Sequence, residues 1–435
     1  MFCFAERKQK MSMKNMMAIA AMSAILGGTG FVQPTYADVN VEDVKCTQRY
    51  PWNGLVDIEY TIACDDPEAE IYVNPVGFNG DTGLTVFPTH FTGDGATNTV
   101  KAGKHTMVWD AKADLGNTFA TKNFQIKMYA GKKLSRYIVI DISGGTEAET
   151  YPIRHSIEGP NLADDTCRTT EIWTRLIPPG TFMMGSPEDE LGRIAERSGD
   201  SLDEYLCKVH ISKPYYIGVF EVTQAQFANI KGEDALPSTS YLPRNPLCPV
   251  GAIPWGNQLW RDAYVLSTSM ESDSNSFIGL LRKRTQKYGF CLPSEAQWEY
   301  ACRSGTTTAL YNGYNLTSVN GDDNLSKIAR YAVNGGQPAR VGSYEPNALG
   351  LYDMLGNVSE WCRDKSSIGA VSRQSGMIDP IYDDGHDDSN RGYIVKGGNY
   401  GDLAAICRAA FRRRHYFGNP GGWLGFRLCA TGDLQ

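Results

Sequence analysis

Hydrophobic and polar residues alternate along residues 55–62 (LVDIEYTI), which is the spacing of a strand with one buried face. Similar short runs, separated by Gly- and Asp-rich turns, recur at residues 70–73, 106–109 and 124–128. Several short strands at this spacing, with no helical period, predict an antiparallel sandwich of about 100 residues. We therefore assign residues 38–145 to an all-β, immunoglobulin-like sandwich domain.

The pattern changes after this region. Residues 146–170 have the Gly, Thr, Glu and Asp content of a linker, and residues 171–435 combine Gly, Pro and aromatic loops with few long periodic segments. The clearest helix is predicted at residues 294–303, because Ser294 can cap it and Gln297 completes a capping box. The second region is therefore predicted to be a loop-rich, mixed α/β domain.

Composition supports two domains and narrows the possible partners. A chain of 435 residues with 42% hydrophobic and 11% aromatic residues can bury two cores. Its formal net charge of −7 argues against nucleic-acid or anionic-membrane binding, which needs clustered Lys and Arg. The one basic run, at residues 412–414, is short and flanked by aromatic residues, so we interpret it as structural.

The amino-terminal residues have the pattern of an export signal. Three lysines precede an apolar stretch at residues 16–28, and small residues follow at positions 35 and 37, as a signal peptidase requires. We therefore predict a signal peptide at residues 1–37 and an exported protein, periplasmic or extracellular, with no membrane span after cleavage. The alternative is an uncleaved anchor, although the apolar stretch is short for a span.

Export determines how the cysteines are interpreted. The chain has 11 cysteines, of which Cys3 leaves with the signal, and it contains no Cys-x-x-Cys. In an oxidising compartment the remaining even number favours disulfides over metal thiolates. Cys46 and Cys64 are predicted to bridge the first two strands of the sandwich.

Five ordered blocks of the second region have distinctive sequences. They are LIPPGTFMMGS (176–186), KPYYIGVFEVT (213–223), LPSEAQWEYACR (292–303), NALGLYDMLGNVSEW (347–361), and KGGNY (396–400) with LGFR (424–427). Together they resemble the formylglycine-generating enzyme, or sulfatase-modifying factor, family. The resemblance implies a compact mixed α/β domain distantly related to C-type lectin folds.

The resemblance also directs attention to the loop after KGGNY. Active members of that family oxidise a sulfatase cysteine to formylglycine with dioxygen and Cu(I), which two cysteine thiolates bind, as soft ligands suit this ion. Here the first of those positions is Asp402, and Asn399 replaces the usual Ser. The second position is Cys407 when counted forward or Ala404 when counted back from LGFR, the count we favour. Neither count gives two thiolates, so copper is not expected, and Cys407 is a catalytic candidate only if it is free.

Other site residues are implied by the same resemblance. A calcium site would use Asp353, the carbonyl oxygens of Gly356 and Val358, and Glu360, which are hard oxygen ligands. A Cys302–Cys407 disulfide is implied by the family's cystine; Cys291 and Cys429 are a second candidate pair, and the remaining pairings cannot be derived from one sequence. The predicted binding groove consists of Trp361, Asn399, Asp402, Phe411, Arg412 and Trp423.

These observations leave two main functional hypotheses and a third. The favoured one is an exported, catalytically divergent family member that binds a peptide or glycan. The alternative is an oxidase that converts a sulfatase cysteine to formylglycine, with a sulfatase as partner. A purely structural surface protein is the third. Fold alone does not separate them, because function resides in the site.

Overall fold

The alternating pattern of the first region forms strands in the structure, a computed structural model. It describes residues 39–51, 53–116, 119, 121–194, 203–237, 243–254, 259, 275–287, 289–366, 375–382, 392–416 and 421–432. The predicted signal segment lies outside these residues. The chain divides into two units, one ending at Arg136 and the other beginning at Tyr137.

The first unit consists of two antiparallel sheets. Its elements are β1 (Val39–Gln48), β2 (Leu55–Cys64), β3 (Tyr72–Asn79), β4 (Leu84–Val86), β5 (Phe91–Gly93), β6 (Gly103–Asp110), α1 (Ala111–Leu115) and β7 (Phe124–Gly131). One sheet has the order β1-β2-β6-β5 and the other β4-β3-β7. Ile58 and Trp109 of the first sheet and Met128 of the second share one buried core. This arrangement agrees with the predicted β-sandwich.

The register of the first hairpin contradicts the predicted Cys46–Cys64 bridge. In the β1–β2 pair, Cys46 lies opposite Ile58 and Cys64 lies opposite Val39. The two cysteines are therefore about six residues apart along the strands, or roughly 20 Å. A disulfide requires Cα atoms within about 7 Å. Both are unlinked thiols in the structure, and the predicted pairing is wrong.

The second unit is built from short strands and helices around three sheets. Its elements are β8 (Tyr137–Asp141), β9 (Ile153–Ser156), α2 (Thr166–Thr169), β10 (Glu171–Ile177), β11 (Gly180–Met184), β12 (Cys207–Ile211), β13 (Tyr215–Gly218), α3 (Gln224–Lys231), α4 (Phe277–Thr285), β14 (Phe290–Cys291), α5 (Glu295–Arg303), α6 (Asp323–Ile328), β15 (Ser359–Lys365), β16 (Met377–Ile378), β17 (Tyr393–Lys396), β18 (Arg413–His415), β19 (Leu424–Gly425) and β20 (Cys429–Ala430). The sheet orders are β14-β20-β13-β10-β8-β9, β11-β12-β16 and β18-β17-β15-β19. The predicted mixed α/β character is observed. Within the described ranges, no helix is long and apolar enough to cross a membrane.

The predicted domain limits need correction. Strand β8 pairs with β10 and β9, so it belongs to the second unit and not to the sandwich that we assigned to residues 38–145. The predicted linker, residues 146–170, contains β9 and α2. Its polar composition suggested a linker, but Tyr151 and Cys167 are buried, and the pairing of β9 with β8 ties this segment to the second unit.

The predicted helix is confirmed as α5. Ser294 is its N-cap and Gln297 closes a capping box, which satisfies amides that a helix start leaves free. The helix ends at Ser304, which adopts a left-handed conformation. Glu299 of this helix accepts a hydrogen bond from the Gly185 amide at 2.7 Å, which ties α5 to the end of β11.

Candidate functional site

A buried ionic brace connects three of the sequence blocks. The Arg427 guanidinium donates to both carboxylate oxygens of Glu360, at 2.7 and 2.6 Å, and the Trp298 indole donates to one of them at 2.6 Å. All three side chains are almost completely buried. A bidentate charged pair with a further donor leaves little hydrogen-bonding capacity unused, so this set, the Glu360 brace, holds α5, β15 and the LGFR segment together.

The predicted calcium ligands divide into one available and one engaged carboxylate. Asp353 accepts from the Gly342 amide at 2.6 Å through Oδ2, and its buried Oδ1 has no hydrogen-bond partner. Burial raises the pKa of Asp353 to about 6. An orphaned, buried carboxylate oxygen suits a hard cation. Glu360 is instead engaged in its brace, and the described residues contain no cluster of three or more His, Cys, Asp or Glu placed to hold a metal.

The loop that carries the predicted calcium carbonyls is held by a carboxylate that sequence reasoning did not single out. Glu221, buried and next to β13, accepts from the Asn357 side-chain amide and from the Val358 backbone amide at 2.9 Å. Burial, and then the nearby carboxylate of Asp353, raise the pKa of Glu221 well above its ordinary value. The loop between Asp353 and Glu360 is therefore fixed from within.

The predicted groove residues come together around an arginine that was not predicted. The Arg413 guanidinium lies 5.5 Å from the ring centres of both Phe411 and Trp423 and pairs with Asp402 at 3.1 Å. His415 extends these aromatic contacts: its ring centre lies 5.1 Å from that of Trp423, edge to face, and 5.6 Å from that of Trp361, at a tilt of 53°. We call Trp361, Asn399, Asp402, Phe411, Arg413, His415 and Trp423 the Arg413 cluster.

A short turn positions the acidic edge of this cluster. Asp402 closes the turn by donating its amide to the Asn399 carbonyl at 3.0 Å, and its Oδ2 accepts from the amide of Asn399 at 3.2 Å and from its side chain. The Asn399 side chain also reaches the Ser359 hydroxyl at 3.4 Å. Asn at position 399 therefore orients Asp402 toward Arg413.

Arg412, which we predicted to line the groove, points away from it. Its guanidinium forms a two-pronged pair with Glu295 at the start of α5, both distances being 2.7 Å. Phe411 and Arg412 precede β18, yet the contacts alternate as they do in a strand: Phe411, Arg413 and His415 face the cluster, and Arg412 faces Glu295. The period-two pattern around β18 was the signal that would have identified Arg413 and His415.

Cys407 lies beneath the turn as a buried thiol. Its sulfur donates to the Asn399 carbonyl oxygen at 4.0 Å, and burial, followed by the charge of Asp402, raises its pKa well above the ordinary value. Cys302 is also a buried, unlinked thiol. The structure therefore contains no Cys302–Cys407 bond, and the pairing stays a prediction for oxidised protein.

Comparison with known proteins now identifies the family. The sulfatase-modifying factor enzyme 1-like domain (FGE-sulfatase) matches residues 160–431, more than half of the chain. The chain belongs to this family. It resembles the mouse (Mus musculus) formylglycine-generating enzyme, with 29% identity over 153 residues, 33% of this chain and 39% of that protein.

Two other similar proteins are not named formylglycine-generating enzyme. The chaperone protein LppX of Paenibacillus barcinonensis is 25% identical over 185 residues, 34% of this chain and 61% of that protein. The solved structure of PvdO from Pseudomonas aeruginosa superposes with a TM-score of 0.47 and 22% identity, covering 60% of this chain and 94% of that one. The matches thus span between 39% and 61% of the two curated relatives.

Proposed function

We propose that this protein is a catalytically divergent member of its family that binds a peptide or glycan through the Arg413 cluster. The observation that carries the proposal is Asp402, which stands where the resemblance implies the first copper thiolate and is paired with Arg413 at 3.1 Å. A carboxylate is a hard ligand and a poor substitute for sulfur toward Cu(I).

The state of Cys407 supports the same conclusion. A thiolate, not a thiol, binds metal, and burial raises the pKa of the Cys407 thiol well above its ordinary value, which disfavours the thiolate. Its sulfur is also fully buried beneath Asn399. Even the forward count, which makes Cys407 the second ligand, therefore gives no pair of thiolates.

The chemistry of the Arg413 cluster suits ligand binding. Trp423 and His415 are half-buried rings, and the side chains of Arg413 and Asp402 are 22% and 17% exposed. An aromatic face beside a charged pair can stack on a sugar ring or an apolar side chain and hydrogen-bond to its polar groups. Because Arg413 is held in place by three neighbours, little side-chain entropy is lost when a ligand binds.

The alternative is an oxidase that generates formylglycine in a sulfatase. The similarity to proteins named formylglycine-generating enzyme favours it, at 29% identity for the mouse protein and 31% for that of Streptomyces coelicolor. However, the chaperone protein LppX matches a similar share of this chain. The shared segment alone therefore does not specify an oxidase.

The deciding experiment measures conversion and binding on the same purified protein. The protein is loaded with Cu(I) and incubated in air with a Cys-x-Pro-x-Arg peptide, and mass spectrometry follows the conversion of its cysteine. We expect no conversion, and we expect retention of labelled protein on a glycan or peptide array. Copper-dependent conversion would overturn the proposal in favour of the oxidase. If the protein shows neither conversion nor retention, the remaining hypothesis is a purely structural role.

Further parts of the proposal concern the folds of the two units, the location of the protein and its partner. The strand orders of the first unit match the ABED sheet and part of the CFG sheet of immunoglobulin domains, which supports an immunoglobulin-like sandwich. We also propose export to the periplasm or cell exterior, a C-type-lectin-related fold for the second unit, and a sulfatase as partner in the alternative function.

Calcium binding is the remaining part. Asp353 would supply its unpartnered Oδ1, with the carbonyls of Gly356 and Val358 and, by its remaining lone pairs, Glu360. When bound, calcium would neutralise the buried charge of Asp353 and stabilise the loop that leads to β15.

A further inference from the structure

Two cysteines lie directly opposite each other in the largest sheet of the second unit. Cys291 of β14 pairs with Cys429 of β20 in an antiparallel ladder. Residues that face each other in such a ladder have Cα atoms about 4.5–5.5 Å apart, within the range that a disulfide spans. In the other described strand pairs that contain a cysteine, the cysteine faces a different type of residue.

The surroundings of the pair favour reaction at Cys291. A hydrogen bond from Cys429 lowers the pKa of Cys291 to about 6, despite its burial, and the positive charges of Arg363 and Arg282 act in the same direction. The Thr431 hydroxyl lies 3.8 Å from the Cys291 sulfur. Burial instead raises the pKa of Cys429 well above its ordinary value. Cys291 is therefore the more acidic thiol of the pair and loses its proton first, as in reactive dithiols.

We propose that Cys291 and Cys429 are a disulfide-forming pair, whose oxidation covalently joins β14 to the last described strand, β20. Strand β14 leads into α5, which carries Trp298, and β20 begins two residues after Arg427. The bond would therefore connect the two elements that supply the donors of the Glu360 brace. The inference is independent of the proposed function, since it concerns neither the Arg413 cluster nor a ligand.

The reaction needs an oxidant, which we assign to the class of disulfides, such as oxidised glutathione or a disulfide-donating protein. The Cys291 thiolate attacks one sulfur of that disulfide, its S–S bond breaks, and one thiolate leaves. Cys429 then loses its proton and attacks the Cys291 sulfur of the mixed disulfide, releasing the second thiolate. In total, two electrons and two protons pass from the cysteine pair to the oxidant, which becomes two thiols.

The test compares reduced and glutathione-oxidised full-length protein. Free thiols are alkylated, and non-reducing peptide mapping identifies linked cysteines. We expect a Cys291–Cys429 linked peptide in the oxidised sample and a thermal midpoint about 5 °C or more above that of the reduced sample, because the bond closes a long loop. Cys291→Ala and Cys429→Ala should each remove this difference.

Cys248→Ala is the matched control. Cys248 is also a buried thiol, but it donates to the Pro338 carbonyl and faces no cysteine in a strand pair, so this variant should keep the difference. Alkylation of both Cys291 and Cys429 after prolonged oxidation of the native protein would overturn the proposal. The proposal would also be overturned if Cys291→Ala and Cys429→Ala kept the full difference in thermal midpoint between oxidised and reduced samples. If a variant fails to fold, peptide mapping of the unmodified sequence decides alone.

Discussion

The Glu360 brace and the Arg413 cluster lie in the same unit, yet they are built in different ways. In the brace, an almost completely buried carboxylate has both oxygens occupied by Arg427 and Trp298. In the cluster, Asp402 and Arg413 are both partly exposed. The brace consists of residues that match the family blocks, whereas the cluster carries the departures at positions 399 and 402.

This difference separates what preserves a fold from what performs a function. A buried ion pair cannot lose one partner without leaving an uncompensated charge, so its residues are constrained together. A half-exposed pair has water as an alternative partner, and its residues can change without loss of the fold. The Glu360 brace therefore belongs to what preserves the family fold, while we propose the Arg413 cluster as the place where function can diverge.

The largest predicted effect is on the brace. Glu360→Gln leaves the buried Arg427 guanidinium without a counter-charge, and we expect a loss of about 3–5 kcal/mol in the free energy of unfolding. Asp402→Asn, at the partly exposed pair, should cost less than about 1 kcal/mol. Urea unfolding followed by tryptophan fluorescence measures both. Equal losses would contradict the distinction between the two regions.

A second prediction compares two neighbouring arginines at the start of β18, Arg412 and Arg413, whose side chains point in opposite directions. Arg413→Ala should weaken retention on a glycan or peptide array about tenfold or more, because the stacked cation is lost, with little change in unfolding. Arg412→Ala should lower the free energy of unfolding by about 1–3 kcal/mol, since Glu295 loses its two-pronged partner, and should leave retention unchanged. The reverse outcome would favour the groove predicted from sequence.

The third prediction concerns calcium near the brace. Added calcium should raise the thermal midpoint by a few degrees, because a ligand that binds only the folded state stabilises it. Asp353→Ala should abolish the increase, and a chelator should reverse it in the unmodified protein. Asp81→Ala, at a carboxylate in the first unit, is the control and should keep the increase. No calcium effect in the unmodified protein would reject the site.

The pH dependence sharpens that test. In calcium-free protein, burial raises the pKa of Asp353 from the model-peptide range to about 6. The folded state thus holds this proton more tightly than the unfolded state. The resulting stabilisation is complete below the unfolded pKa and is lost as pH rises through about 6. Calcium needs the ionised form, so the calcium-dependent shift should be larger at pH 7.5 than at pH 5.

Much of the fold was predictable because it depends on local patterns. The period-two runs predicted the strands of the first unit, and Ser294 with Gln297 predicted the start of α5. The domain limit was wrong because the pairing of β8 with β10 is non-local, and no residue in the 146–170 segment records it. The register that separates Cys46 from Cys64 has the same origin.

The site was predictable in its members but not in its geometry. The motif positions gave Trp361, Asn399, Asp402, Phe411 and Trp423, which the structure brings together around Arg413. Arg412 was assigned to the wrong face because one residue of strand phase decides which side chain points inward. The pairing of Arg427 with Glu360 was not predicted, since it joins segments 67 residues apart.

The smallest predicted effect separates the two candidate functions most cleanly. Cys407→Ser replaces a buried S–H donor with an O–H donor to the Asn399 carbonyl, so the change in unfolding free energy should be within about 1 kcal/mol. Retention on the array should not change, because the sulfur lies beneath the turn and not on its surface. In an oxidase that used Cys407 as a copper ligand, the same substitution would remove both Cu(I) binding and peptide conversion. Cu(I) titration of the unmodified protein and the variant, side by side, tests this; a stoichiometric site lost on substitution would mean that the carboxylate at position 402 does not exclude copper.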